Sequence, residues 1–494
     1  MPDQPRTDNN ADNLSDSSDR FLPPALPLVL DSEDTEQDEE DLRQDFFQGL
    51  SGRRQKAAFV LLIIWGVMIG LHHLSWGVWV VWLLTFVLLG KNLQLILAQP
   101  APPPEPLTDS ELDGELDGEL ADAPLVSLLI AAKNEEKVIP SLVEQLIGLD
   151  YPIAKYEVWI IDDRSSDRTP EILDQLALKY SQLNVIHRLP GAGGGKSGAL
   201  NEVLPLTQGQ IIGVFDADAK IPADLLRSVL PLFAPAQIGA VQVRKSIVNA
   251  PTNFWTQGQS LEMALDAYIQ QQRIAIGGMA ELRGNGQFVR RQALEHCGGW
   301  NEQTITDDLD LTFRLHLDHW DIDALFHPAV GEEGVTTAIA LWHQRNRWAE
   351  GGYQRYLDYW KYFVNIPLKR SKRLDLITFL LIQYLLPTAA IPDLILAAIY
   401  HHLPLLTPLT GAILTLSVVG IVNGSHQTLA EPQKSGHEPF LALVRPIKGL
   451  TYLMHWFVII PSVTARISVQ PKRLKWVKTV HEGAEIKSQD FEKG

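Results

Sequence analysis

Asp216 and Asp218 stand one residue apart at the end of the apolar run Ile211-Ile212-Gly213-Val214-Phe215. Alternation along a strand puts both carboxylates on one face, and ligands of open α/β sheets collect at the carboxyl ends of strands. Two hard oxygen donors there suit a divalent cation that keeps waters and takes substrate phosphates as further ligands, which is how Mg²⁺ behaves. An isolated Asp-x-Asp is equally a polar strand end before a turn, so its meaning depends on the other reactive groups.

Several other groups share that setting. Lys133-Asn134-Glu135 follows one apolar strand-length run, and Asp162-Asp163 follows the next. A carboxylate of either group can accept the imide N–H of uracil or the ribose hydroxyls, although each group alone also reads as a cap or turn. Gly193-Gly194-Gly195-Lys196-Ser197 fails the Walker spacing because Pro190 stands where that motif needs glycine. Lys196, opening a helix after glycines, can still meet a diphosphate. Thr306-Asp307-Asp308-Leu309-Asp310 offers a general base in a partly desolvated site, or simply a helix N-terminus with favourable acidic residues. In Gln344-Arg345-Asn346-Arg347-Trp348, Gln344, Arg347 and Trp348 fall on adjacent helical faces. Arg347 can pair with a leaving diphosphate, and Trp348 can form a sugar or lipid platform.

The elements that position these groups alternate. Strands are predicted at Leu125–Ala132, Glu157–Ile161, Asn184–His187 and Gln210–Phe215, and helices at Val138–Leu149 and Pro170–Tyr180. That order argues for an α/β domain over residues 125–368 with a parallel sheet. Apolar segments flank it. Ala57–Leu74 and Gly77–Leu97 each approach the roughly 20 residues needed to cross a bilayer, as do Leu374–Tyr400, interrupted by Pro387 and Pro392, and Leu405–Val422. The segment Phe440–Ile467 carries Arg445, Lys448 and prolines and is expected to lie partly in the interface. Basic clusters at Arg53–Lys56, Arg370–Arg373 and Pro471–Lys478 predict cytosolic flanks and an even number of crossings, namely four. Lys91 lies deep in its apolar segment, which requires it to snorkel or face protein. Phe254–Ile269 is expected either to lie on the bilayer and admit a lipid or to pack on the sheet.

The net charge of −17 belongs to two segments. Residues 1–48 hold 14 Asp/Glu against 3 Lys/Arg, and residues 100–124 hold 8 acidic and no basic residues. The layout is therefore a disordered acidic tail (1–50), two transmembrane helices (51–98) and an acidic Pro-rich linker (99–124). The α/β domain follows, then a hairpin with an interfacial helix (369–470) and a cytosolic tail (471–494). No basic face marks nucleic-acid binding, and the single Cys297 excludes an intrachain disulfide framework.

Taken together and in order, Lys133-Asn134-Glu135, Asp162-Asp163, Gly195-Lys196, Asp216-x-Asp218, Thr306-Asp307-Asp308 and Gln344-x-x-Arg347-Trp348 resemble glycosyltransferase family 2. Its membrane-bound members include cellulose, hyaluronan and ceramide-glucoside synthases. The resemblance implies a cytosolic, Rossmann-like nucleotide-sugar-binding domain of the GT-A type between transmembrane helices. Asp308 would be the base, although Asp307 stands where the family usually has Glu. Asp216 and Asp218 would hold Mg²⁺, and Lys133, Glu135, Asp162 or Asp163, Lys196 and Asp216 would seat the nucleotide sugar. Asp307, Gln344, Arg347 and Trp348 would shape the acceptor and diphosphate end. Trp476–His481 is similar to a gating loop. The run Gln344–Trp360 resembles members that glucosylate a membrane lipid, so inverting transfer of glucose from UDP-glucose to 1,2-diacylglycerol or another membrane lipid is expected. A processive polysaccharide synthase and a non-catalytic nucleotide-sugar scaffold are the alternatives.

Overall fold

The computed structural model describes residues 52–112, 123–365, 368–428 and 438–469. The acidic tail, most of the acidic repeat and the expected gating loop at Trp476–His481 lie outside the described residues.

Seven strands form one sheet: β1 (Val126–Ala132), β2 (Tyr156–Asp162), β3 (Leu183–His187), β4 (Ile211–Phe215), β5 (Ile238–Ile247), β6 (Gln287–Arg290) and β7 (Asp321–Glu332). Their order is β3-β2-β1-β4-β6-β5-β7. The expected parallel pairing holds for β3 to β4 and again between β5 and β7. It fails at β6, which runs antiparallel to both β4 and β5, so the sheet is mixed. The cause is the connection. After α6 (Phe254–Ala275) the chain turns back into β6 through a stretch with left-handed Gly277, Gly284 and Gly286. The centre of the parallel half is buried on both faces, as continuous apolar runs require: all but one residue of β1 and every residue of β4 are buried.

Helices occupy the apolar segments. Those used below are α1 (Arg53–His73), α2 (Gly77–Ile96), α3 (Ile139–Ile147), α4 (Thr169–Lys179), α5 (Gly195–Val203), α6 (Phe254–Ala275), α7 (Asp307–Leu317) and α8 (Ala338–Asp358). After them come α9 (Arg370–Tyr400), α10 (Thr407–Thr428), α11 (Glu438–Leu453) and α12 (Trp456–Val469). Among the described residues, five helices are long and apolar enough to cross a membrane: α1, α2, α9, α10 and Val444–Val469. The fifth spans the break between α11 and α12, in the stretch expected to be interfacial. In α9 a π-helical turn at Leu381–Leu385 precedes Pro387, and Pro392 lies within the helix, so the prolines do not break it in two. Phe59, Leu62, Trp79, Leu83 and Phe86 on α1 and α2 are exposed, as lipid-facing side chains are.

Of the two expectations for helix α6, packing on the sheet is the one seen. It packs on β5 and β7 and, more extensively, against α10. A side chain at Gly424 would place Cβ 2.1 Å from the Ala264 carbonyl oxygen, so that glycine permits the close approach of α10 to α6. One apolar cluster joins Tyr353, Tyr356 and Tyr359 at the end of α8 to Tyr384 of α9 and Ile459, Ile460 and Val463 of α12. Arg53 adds a two-point ion pair to Asp358, at 2.7 and 2.5 Å, tying α1 to the end of α8. The α/β domain and the apolar helices therefore share a core.

Candidate active site

The strand ends converge on one cleft of about 1780 Å³. The loops after β1 and β2 are knitted together: the Asn134 amide donates to Ser165 Oγ and the Glu135 amide to Thr169 Oγ1, both at 2.8 Å. Lys133, Glu135 and Asp163 line the cleft. Asp162 does not. Its carboxylate accepts the Ser165 amide at 3.0 Å and faces His187 Nδ1 at 3.1 Å, which leaves it to fix the turn. Asp163 is held by Arg188 Nη1 at 2.9 Å. Of the two aspartates, Asp163 is the one that lines the cleft.

The glycine loop brings Lys196 across to β4. Arg188 Nη2 donates to the Gly193 carbonyl at 2.8 Å, and Gly194 and Gly195 adopt φ of 75° and 55° to open α5. Lys196 Nζ lies 2.5 Å from Asp216 Oδ1. Both side chains stay partly open to the cleft, 31 % and 43 % exposed. Burial would lower the Lys196 pKa, but Asp216, Asp307 and Asp308 outweigh it and raise it. Burial likewise opposes ionisation of Asp216, yet Lys196, Lys245 and Arg347 hold its pKa below the usual range.

Asp307 and Asp308 occupy the first turn of α7, where the helix dipole favours negative charge. The third carboxylate of this run faces the protein interior instead. Asp310 is buried and bonds Arg314, Tyr359 and Asn301. Asp308 is pushed up to about 6, first by burial and then by the neighbouring Asp307 charge. Gly284 backs it, with the Cβ position there 3.4 Å from Asp308 Oδ2. Arg347, its own pKa lowered by burial, sits within the field of Asp216, Asp308 and Asp307.

Gln344, Arg347 and Trp348 reach the cleft from α8. Two cations lie against Trp348, with the Arg345 guanidinium 3.8 Å and Lys245 Nζ 5.1 Å from its ring centre. Neither cation was singled out from the sequence. Lys245 lies on β5 outside any motif, and Arg345 occupies a variable position of Gln-x-x-Arg-Trp. Of the two, only Arg345 is visible in the sequence as a basic residue within the motif.

The donor set fits a Mg²⁺-like ion. Asp216 and Asp218 bring two hard carboxylates to one strand end, one of them already carrying an ammonium group. Asp307 Oδ2 is buried with no hydrogen-bond partner among the described residues. No three His, Cys, Asp or Glu side chains form a closed cage among those residues, and such an ion needs only one or two carboxylates plus phosphates and water.

The cleft does not stop at the sheet. The same cavity continues between the apolar helices, where Leu95, Phe379, Ile382, Leu409, Ile413 and Phe457 line it. A mixed α/β sheet thus presents acidic and basic groups at its strand ends and opens onto apolar helices. Residues 123–351 match the family described as Glycosyltransferase like family 2. The chain is 55 % identical over 485 residues, 98 % of each chain, to a protein named Beta-monoglucosyldiacylglycerol synthase from Synechocystis sp.. It is 57 % identical over 433 residues, 88 % of this chain and 90 % of the relative, to one of the same name from Trichormus variabilis. Among solved structures it resembles the mannosyltransferase PcManGT from Pyrobaculum calidifontis, in complex with GDP-Man and Mn²⁺. That likeness has a TM-score of 0.51 at 19 % identity and covers 79 % of this chain and 99 % of that one, which supports the fold alone. The chain belongs to glycosyltransferase family 2. It is an enzyme, which sets aside the non-catalytic scaffold.

Proposed function

We propose that this enzyme transfers glucose from UDP-glucose to the free hydroxyl of 1,2-diacylglycerol, giving β-monoglucosyldiacylglycerol. The observation that carries this reading is the continuity of the cleft, from the carboxylates at the strand ends to apolar walls on α2, α9, α10 and α12. A nucleotide sugar is polar and multiply charged, whereas a diacylglycerol brings a small polar end on long chains, and the two ends of the cleft match that pair. The names of the relatives in Synechocystis and Trichormus support the same donor sugar and acceptor.

Lys133, Glu135 and Asp163 seat the uridine, and Lys196 and Arg347 neutralise the diphosphate. Asp216 and Asp218 hold a divalent cation, Mg²⁺ in this reading, which when bound stabilises charge on the departing UDP. Asp308 takes the proton from the acceptor hydroxyl as that oxygen attacks the anomeric carbon. A pKa near 6 leaves the carboxylate mostly ionised at neutral pH while keeping it more basic than an ordinary aspartate. One displacement with one base inverts the α-linked donor to a β-linked product. Trp348 closes the acceptor side, and Gln344 Oε1, buried without a hydrogen-bond partner among the described residues, remains to accept from a substrate hydroxyl. The basic flanks favour placing this domain on the cytosolic side of the bilayer.

The test incubates membranes containing the full chain with radiolabelled UDP-glucose, Mg²⁺ and 1,2-diacylglycerol, with D308N as the control. A labelled monohexosyl lipid, sensitive to β-glucosidase and absent from the variant, is the expected product. Label confined to a polymer would overturn the lipid acceptor and favour a processive synthase. No transfer from UDP-glucose would overturn the donor. Chelation by EDTA is expected to stop the reaction and Mg²⁺ to restore it.

A further inference from the structure

Lys91 is a charged residue within an apolar helix, and no step above uses it. Such residues cost free energy in a membrane and characteristically mark substrate paths. It lines the cleft from α2 beside Asn92, within electrostatic reach of Asp375 and Arg273. Asp375 and Arg273 pair at 2.8 Å. Behind them Glu281 lies 3.7 Å from Arg273 and 3.4 Å from Arg355, and it also pairs with Arg283. Arg283 holds Asp266 at 2.8 Å.

Two features of this cluster point to a ligand. Its carboxylates, Asp266, Glu281 and Asp375, compensate the three arginines one for one, and Lys91 is left over. Arg273 and Arg355 are each only 3 % exposed; Arg273 Nη2 faces Glu281 Oε1 at 3.7 Å, but Arg355 Nε and Nη1 have no hydrogen-bond partner among the described residues. Buried N–H groups rarely go unmatched unless something else supplies the acceptor. Both arginines line the cleft, and the Arg273 guanidinium stacks 4.5 Å from the Phe379 ring centre on its apolar wall. The cluster also adjoins the base. Arg283 directly precedes Gly284, the residue that backs Asp308.

We propose that this cluster is the subsite for the glycerol-ester end of the acceptor lipid, with Lys91 and Arg355 donating hydrogen bonds to its ester carbonyl oxygens. The arginine charges are already balanced, so the subsite offers directional donors with only the Lys91 charge in excess, which suits the polar but uncharged ester carbonyls of a neutral lipid. In a diacylglycerol only a few bonds separate the ester carbonyls from the free hydroxyl, so carbonyls seated here leave the hydroxyl at Asp308 and the chains along Phe379 and Ile382. The inference rests on the reading of diacylglycerol as the acceptor.

The test measures initial rates of the full chain in mixed micelles, varying 1,2-diacylglycerol and UDP-glucose in turn. K91M, which removes the ammonium and suits an apolar helix, is expected to raise the KM for diacylglycerol about tenfold, the loss of one charge-assisted hydrogen bond. The KM for UDP-glucose and kcat should move by less than about twofold, and K91R should recover most of the affinity. A 1,2-dialkylglycerol, which has a free hydroxyl but no ester carbonyl, should be a comparably poor acceptor for the unaltered enzyme, with little further loss in K91M. An unchanged KM for diacylglycerol in K91M, or equal use of ester and ether lipids by the unaltered enzyme, would overturn the subsite. Failure of the unaltered enzyme to glucosylate diacylglycerol would instead overturn the acceptor assignment itself.

Discussion

Lys196 Nζ and Asp216 Oδ1 lie 2.5 Å apart, joining the glycine loop to the first carboxylate of the Asp-x-Asp pair. A cation of the chain itself therefore occupies one of the two carboxylates assigned to the metal. When a metal–nucleotide complex binds, the ammonium can move from carboxylate to phosphate with its charge still matched. K196M removes that donor, and we expect the KM for UDP-glucose to rise about 10- to 100-fold, as for a lost charge-assisted hydrogen bond. The diacylglycerol KM should change far less. Initial rates with each substrate varied in turn check this, and a rise shared equally by both would count against a phosphate role.

Asp307 and Asp308 are consecutive in the first turn of α7, and the charge of the first makes the second harder to ionise. Only the carboxylate form of Asp308 can accept a proton, so kcat/KM should climb as pH rises through about 6. D307N removes a negative neighbour, favours ionisation of Asp308 and moves this acid limb to lower pH. K196M removes a positive neighbour and moves it to higher pH. The two shifts have opposite signs, so pH profiles of the three proteins separate this account from a general loss of activity. D308N should lose about 10²- to 10⁴-fold in turnover while still binding UDP-glucose.

Much of this arrangement was legible in the sequence because strand ends leave a local signature. The apolar runs before Lys133, Asp163 and Asp216 placed β1, β2 and β4 within a residue or so of their observed bounds. Direction leaves no such trace. The run that becomes β6 reads the same whether parallel or antiparallel, and only the glycine-bearing return from α6 decides it. Strand alternation could have separated Asp162 from Asp163, since successive side chains point to opposite faces. The Arg273–Glu281–Arg355 cluster was beyond reach, because its charges come from separate elements and meet only once α6 and α8 are packed. Lys245 is similar: β5 carries it toward Trp348, and nothing local links the two.

Gly194 has a steric reason for its identity as well as a conformational one. Its φ is 75°, and a Cβ there would fall 2.7 Å from Gly198 Cα within α5. Gly193 has nothing within 4 Å of its Cβ position and no positive φ. We expect G194A to destabilise the protein by more than about 1 kcal/mol and to raise the KM for UDP-glucose by displacing Lys196. G193A should leave thermal stability nearly unchanged. Thermal unfolding of the two variants in the same detergent checks the contrast, and equal melting temperatures would refute it.

Helix α8 is held against the C-terminal helices through one carboxylate, that of Glu262. Arg345 is fully buried and pairs with Glu262 of α6. Glu262 also accepts from Trp456 Nε1 at 2.8 Å and from the Tyr452 hydroxyl at 3.2 Å. One carboxylate thus links α6, α8, α11 and α12, while the guanidinium it holds stacks on Trp348. Burying an ion pair is costly for both partners, and removing only one leaves the other charge uncompensated, typically at about 3–5 kcal/mol. E262Q should therefore lower the melting temperature sharply. R345M in the same chain removes the stranded charge, so the double variant should be more stable than E262Q alone, as a double-mutant cycle would register. It should not recover activity, because Trp348 would lose the cation that braces it. Additive losses in stability would show that Glu262 and Arg345 act independently, and full activity in the double variant would remove Arg345 from the positioning of Trp348.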